Sequence, residues 1–155
     1  MIHVSKTVAV NEGAEPRLDA RQIWQGLVMK AEDPTRFVRG ITACRVIQRL
    51  ADGIVREVLL RGATVRERIV YRPGESVTFV RLNGAELGMI RNEIVDDATR
   101  GLCLRFTFDL EIEGIAPGSA DEAAFAERMA GDYLAAVQAT IERIRTLVRD
   151  GRLAA

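Results

Sequence analysis

The strongest constraint in this chain is a change of hydrophobic period. From Ile41 to Ile112 apolar and polar residues alternate with a period of two, and turn signals recur about every ten residues. These are Asp52-Gly53, Gly62-Ala63, Pro73-Gly74, Asn83-Gly84 and the loop from Asp96 to Gly101. Asn-Gly and Asp-Gly suit hairpin turns because both central residues of a type I′ turn need positive φ. After Pro117-Gly118 the period becomes 3.6 and holds to Val148. The first pattern predicts an antiparallel meander of six strands, the second one long helix. A sheet with one apolar face must bury it, and the helix is the available lid.

The helix starts well. Ser119-Ala120-Asp121-Glu122 reads as a capping box, and a run of about 30 residues spans about 45 Å. Phe125, Met129, Tyr133, Val137, Ile141, Ile144 and Val148 form its apolar stripe. Ala130, Gly131, Ala135, Ala136 and Ala139 give it a small-residue waist, which lets a sheet come close or leaves volume beside it. The charged residues from Glu142-Arg143 to Arg149-Asp150 are expected on a solvated face.

Ahead of the meander, Ile2 to Val10 alternates loosely and predicts a first strand, ended by Pro16. Asp19 can cap a following helix, Gln22 can complete a capping box, and Leu18 can staple onto Ile23. Ile23, Trp24, Leu27, Val28 and Ala31 mark its apolar face, with Trp24 expected in the core. Asp33-Pro34 then opens a second short helix, with Pro in its favoured first position, running to Gly40. The expectation is an α+β fold: a seven-stranded antiparallel sheet, two short helices after the first strand, and a long C-terminal helix. Its length suits one domain covering residues 1–155.

The turns suggest a register. Gly62-Ala63 as a two-residue turn sets Glu57 opposite Arg68 and Val58 opposite Glu67. Asn83-Gly84 as another sets Arg81 opposite Glu86, Phe79 opposite Gly88 and Val77 opposite Ile90. A five-residue loop from Arg72 to Ser76 places Val77, Phe79 and Arg81 on the face of Glu67. A two-residue loop would flip them and bring Arg66 against Arg81, a like-charge clash. On the last strand Leu102, Leu104, Phe106, Phe108, Leu110 and Ile112 share the inner face, while Cys103, Arg105 and Thr107 face out. The inner face then carries a polar stripe of Arg56, Glu67, Arg81, Glu86 and Asn92. Buried charges need partners, and Glu67 lies diagonal to Arg56 and opposite Arg81.

Function classes can be excluded. Lys+Arg and Asp+Glu both number 22, so a basic surface for nucleic acid is not expected. Two cysteines without C-x-x-C spacing make no disulfide framework, and reduced thiols in a cytoplasmic protein are the plainer expectation. Residues 1–15 lack an apolar signal core, and no run of about 18 apolar residues suggests a membrane span. P-loop, dinucleotide, HExxH, GxSxG and zinc-spaced patterns are absent, so neither cofactor nor metal is expected. The one histidine, His3, could pair with Cys44 or Cys103, but Cys103 falls on the outer face.

The layout resembles the helix-grip fold of the SRPBCC superfamily, which includes START and birch-allergen-like proteins. The stretch Trp24 to Ala31, Pro34, Phe37-Val38-Arg39-Gly40-Ile41, Arg61-Gly62, Val65-x-Glu67-x-Ile69-x-Tyr71, Asn92-Glu93 and Phe125 to Leu134 resemble the AtaL-like domain family of unknown function within it. The resemblance implies a cavity between a curved sheet and the long helix, holding an apolar small molecule. Arg56, Glu67, Tyr71 and Arg81 would meet its polar or acidic end, with Asn92 near by. Phe79, Phe106 and Met129 would contact its body, and the hydroxyls of Tyr71 and Tyr133 could reach a ligand carbonyl, although such tyrosines are more often core residues with a wet tip. A second reading, from the superfamily's polyketide cyclases, makes Glu67 an acid–base catalyst, with Tyr71 or an arginine polarising a carbonyl. An ion pair that fixes strand register is the plainer role for Glu67. A third reading is a protein-interaction domain with a filled core, dimerising with itself through an exposed edge strand.

Overall fold

The computed structural model describes residues 1–153. Its strands are β1 (Ile2–Ala9), β2 (Ile41–Leu50), β3 (Gly53–Leu60), β4 (Ala63–Arg72), β5 (Ser76–Arg81), β6 (Glu86–Asp97) and β7 (Gly101–Ile112). They form one antiparallel sheet in the order β1-β7-β6-β5-β4-β3-β2. The helices are α1 (Ala20–Glu32) and α2 (Ala120–Arg149). This is the helix-grip fold, with α2 lying against the inner face.

Local chemistry explains the ends of α1. The Asp19 carboxylate accepts from the Gln22 N–H at 2.8 Å, and the Gln22 amide oxygen accepts from the Asp19 N–H at 2.9 Å, closing the capping box. Ile23, Leu27 and Ala31 are buried against the sheet, and Trp24 is half-buried, edge-on to Tyr71. Gly26 lets α1 lie close on α2, since a Cβ there would fall 2.3 Å from Cγ1 of Ile144. The second helix is shorter than expected. It is a single 3-10 turn at Pro34–Arg36, and the chain leaves it at Phe37 to bury that ring.

At the start of α2, Ser119 Oγ accepts from the Glu122 N–H at 3.1 Å. Glu122 does not complete the box on Ser119. Its carboxylate reaches the Gly118 N–H and the Met1 ammonium, each at 3.1 Å. Further along, Arg145 departs from the solvated face expected for it, being 2% exposed. It lies four residues from Ile141 on the core side and donates to the backbone carbonyls of Val10, at 2.6 Å, and Pro16. The carbonyls of the β1–α1 connection thus find a charged donor where they would otherwise be buried without one.

Two turns lie where the sequence did not put them, and each correction moves the register by two residues. Leu60 pairs with Ala63, so the β3–β4 turn is Arg61-Gly62, and both residues have positive φ. Glu57 therefore faces Arg66, Val58 faces Val65, and Arg56 lies directly opposite Glu67. Beyond Asn83-Gly84, Arg81 pairs with Gly88, Phe79 with Ile90 and Val77 with Asn92. A slip of two preserves every face, because side chains alternate with period two. Between β4 and β5 the pairing of Tyr71 with Val77 is the one given by the five-residue loop.

The core centres on β7. Leu104, Phe106, Phe108 and Leu110 have no exposed surface, and each contributes about 1.5–3 kcal/mol through burial. Cys103, on the opposite face, is also covered, flanked by Ala9 and Val95 on the neighbouring strands. α2 makes its closest backbone approaches to β1 and α1, not to the middle of the sheet. Tyr133 stacks on Phe108 at 4.7 Å and on Phe106 at 6.4 Å, so a ring separates the helix from the sheet there.

Candidate functional site

Where α2 stands away from the sheet, a cavity of about 350 Å³ opens. Val58, Val65, Phe79 and Ile90 wall it on the sheet side, and Met129 and Val137 on the helix side. Exposed Arg61, Arg128 and Asp132 mark its mouth.

A buried charge cluster forms the inner end. Arg56 and Glu67 are each 4% exposed. Arg56 donates to Oε1 of Glu67 from Nε at 3.0 Å and from Nη2 at 2.8 Å. Its Nη1 donates to the carbonyls of Lys30 and Ala31, at 3.2 and 2.7 Å, in the last turn of α1. The guanidinium thus answers both a carboxylate and the negative end of a helix. It also lies 5.2 Å from the centroid of the Phe79 ring. The second Glu67 oxygen faces Nε of Arg81 at 3.6 Å, and Arg81 bonds to Glu86 through Nη1. Asn92, 2% exposed, accepts from the Lys30 ammonium at 3.3 Å.

Seven of the nine residues expected at the site line this cavity: Arg56, Glu67, Phe79, Arg81, Asn92, Met129 and Tyr133. Phe106 is not among them; it faces inward but is fully covered, and supports the floor beneath Tyr133. Tyr71 is also outside, packed edge-on against Trp24. The Tyr71 hydroxyl is buried with no hydrogen-bond partner among the described residues, and burial pushes its phenol up to about 12. Burial pushes the Tyr133 phenol to about 12 as well, against the opposing pull of Arg81. Tyr133 therefore keeps its proton at neutral pH.

Lys30 was not anticipated. Desolvation, and then the Arg56 charge, lower its ammonium to about 8, with Glu67 pulling the other way. Its position carried the signal: Ile23, Leu27 and Lys30 follow the i, i+4, i+7 spacing of one helix face. A lysine at that spacing must point into the fold or snorkel out of it.

The Cys–His pairing has no support. His3 bonds to Asp109 on the exposed face of the β1–β7 pair, and burial raises the thiols of both Cys44 and Cys103. Among the described residues no group of three or more His, Cys, Asp or Glu could hold a metal ion, and no helix is long and apolar enough to cross a membrane.

No curated protein matches this sequence. Solved structures share its fold at low identity. A START superfamily protein from Mycobacterium smegmatis is 21% identical with a TM-score of 0.65, covering 95% of this chain and 99% of that one. The Zhui aromatase/cyclase from Streptomyces sp. R1128 is 16% identical with a TM-score of 0.65, covering 94% of each chain. The di-domain ARO/CYC StfQ from the steffimycin biosynthetic pathway is 12% identical with a TM-score of 0.69. That match covers 97% of this chain, which spans 52% of the StfQ chain. In sequence, residues 4–151 match the family model described as acetylaranotin biosynthesis cluster protein L. The chain therefore belongs to that AtaL family, within the SRPBCC superfamily of helix-grip domains.

Proposed function

We propose that this chain binds a small, mainly apolar molecule with one polar or acidic end, in the cavity between the sheet and α2. The observation that carries this reading is the cavity: about 350 Å³, with apolar walls and a few convergent polar groups at one end. That volume and lining suit a small-molecule site. Open volume beside α2 weighs against a domain with a filled core that serves only to bind other proteins. Native mass spectra of the protein as purified, compared with denaturing spectra, test the reading. A small mass retained under gentle conditions and lost on denaturation supports it. A protein that stays bare and takes up no apolar dye such as Nile red refutes it.

The likeness to aromatase/cyclases favours a second reading, a cyclase-like enzyme with Glu67 as acid–base. Against it, the Glu67 carboxylate is held by Arg56 and faces Arg81, an arrangement that suits a counterion. Glu67→Gln separates the two. Loss of turnover on a polyketide substrate with retained binding would favour catalysis, whereas a loss of stability alone would favour the ion-pair role.

A further inference from the structure

Three cations meet at the inner end of the cavity, and two of them are answered. Arg56 is held by Glu67 and by carbonyls of α1, and Arg81 by Glu86 and Glu67. Lys30 has no carboxylate within 4.0 Å among the described residues. Its ammonium gives one proton to Asn92 and lies 5.9 Å from the centroid of the Phe79 ring. A lysine in the last turn of a helix ordinarily interacts with the final carbonyls, but here Arg56 already occupies those of Lys30 and Ala31. The donors of Lys30 that Asn92 does not use therefore border the cavity.

We propose that Lys30, oriented by Asn92, is the subsite that receives a carboxylate at the polar end of the bound molecule. The assignment rests on the binding role proposed above and narrows the ligand to an apolar body carrying one carboxylate. Charge supports it, since the inner end holds the cations Lys30, Arg56 and Arg81 against the carboxylates Glu67 and Glu86. A carboxylate there restores neutrality and gives a charge-assisted hydrogen bond in a desolvated place.

The same geometry gives a pH dependence. The ionisable groups facing Lys30 are Arg56 from β3 and Glu67 from β4. Cys44 on β2, its thiol raised by burial, stays neutral near pH 7, and Asn92 on β6 does not titrate. Asp132 and Arg128 of α2 lie at the mouth. With Lys30 of the empty site titrating at about 8, affinity for a carboxylate is full below that pH and weakens above it, where binding must also take up a proton.

Two matched probes test the subsite, 2-naphthoate and the uncharged 2-naphthamide, titrated calorimetrically into the full chain. Nile red tests the cavity independently. The expected result is naphthoate binding tighter than naphthamide by about tenfold or more, the advantage fading as pH rises through 8. Lys30→Met should bring naphthoate down to the amide and leave naphthamide and Nile red unchanged, while Lys30→Arg keeps the preference. Equal affinity for the two probes in the parent protein overturns the assignment. So does a Lys30→Met variant that weakens both alike, or Nile red uptake without naphthoate binding. If Nile red also fails to bind, the binding role itself is what fails.

Discussion

Removing Arg56 is the most informative perturbation of the fold. Arg56→Met deletes two hydrogen bonds to Glu67 and two to the end of α1, three of them buried and the one to Lys30 part-buried. What remains is a carboxylate 4% exposed, with Arg81 the one cation within 4.0 Å among the described residues, at 3.6 Å and without a hydrogen bond. Breaking a buried pair from one side costs about 3–5 kcal/mol. Total stability for a domain of this kind is about 5–15 kcal/mol, so the variant should be marginal but folded. At about 2–4 °C per kcal/mol for a chain of this size, the melting temperature should fall by roughly 6–20 °C. Urea unfolding followed by Trp24 fluorescence measures the loss, and a cycle with Glu67→Leu isolates the pair. The double variant should recover part of the cost, because it leaves no lone carboxylate. A loss below about 1 kcal/mol for Arg56→Met, the range of a solvent-exposed ion pair, would refute the reasoning. So would costs in the two single variants that simply add.

Other outcomes follow from the same structure. Gly88 has a φ of +134°, and a Cβ there would sit 2.0 Å from the Asp109 carbonyl oxygen, so Gly88→Ala should cost well over about 1 kcal/mol by urea denaturation. Lys30 titrates at about 8 in the folded protein and near its ordinary 10.5 when unfolded, so over that span the unfolded chain binds the extra proton. Stability from this group therefore rises with pH from about 8 to 10.5. Lys30→Met should be more stable than the parent at pH 7, with the gap closing towards pH 10, as urea midpoints across that range would read. A gap independent of pH would refute this. Both thiols are raised by burial, so Cys103, with no exposed surface, should react with a disulfide reagent only after unfolding. Half-buried Cys44 should react first, and slowly.

How far the sequence carries depends on what kind of information each residue holds. Face assignments survived because they need only parity, and both register errors were slips of two. The slip at β3–β4 came from placing Gly62 first in the turn, where the structure puts Arg61 in positive φ ahead of it. Arg56, Glu67 and Arg81 converge because alternation put them on one face and charge matched them across strands. Phe106 and Tyr71 also satisfy the alternation. Whether an inward side chain borders open space or is covered depends on how α1 and α2 sit, which no local pattern encodes. Lys30 and Arg145 failed for a different reason. Each lies on the apolar side of its helix, where a charge breaks the pattern, and for Arg145 that charge suggested solvent. The carbonyls that hold Arg145 belong to a connection about 130 residues away in sequence.

The strand order has a consequence for how the chain folds. From β2 to β7 every hydrogen-bonded neighbour is also the next strand in sequence, so these pairs close short loops. The exception is β1, which must find β7 across some hundred residues, from Ile2 against Leu110 to Ala9 against Cys103. Closing that distance costs more chain entropy than any hairpin, though the cost grows only logarithmically with length. Local hairpins are therefore expected to form early, with β1 docking late beside α2, which packs on the same strand. Substitutions on β1 should then mainly speed unfolding, while those in the β4–β6 hairpins should slow folding.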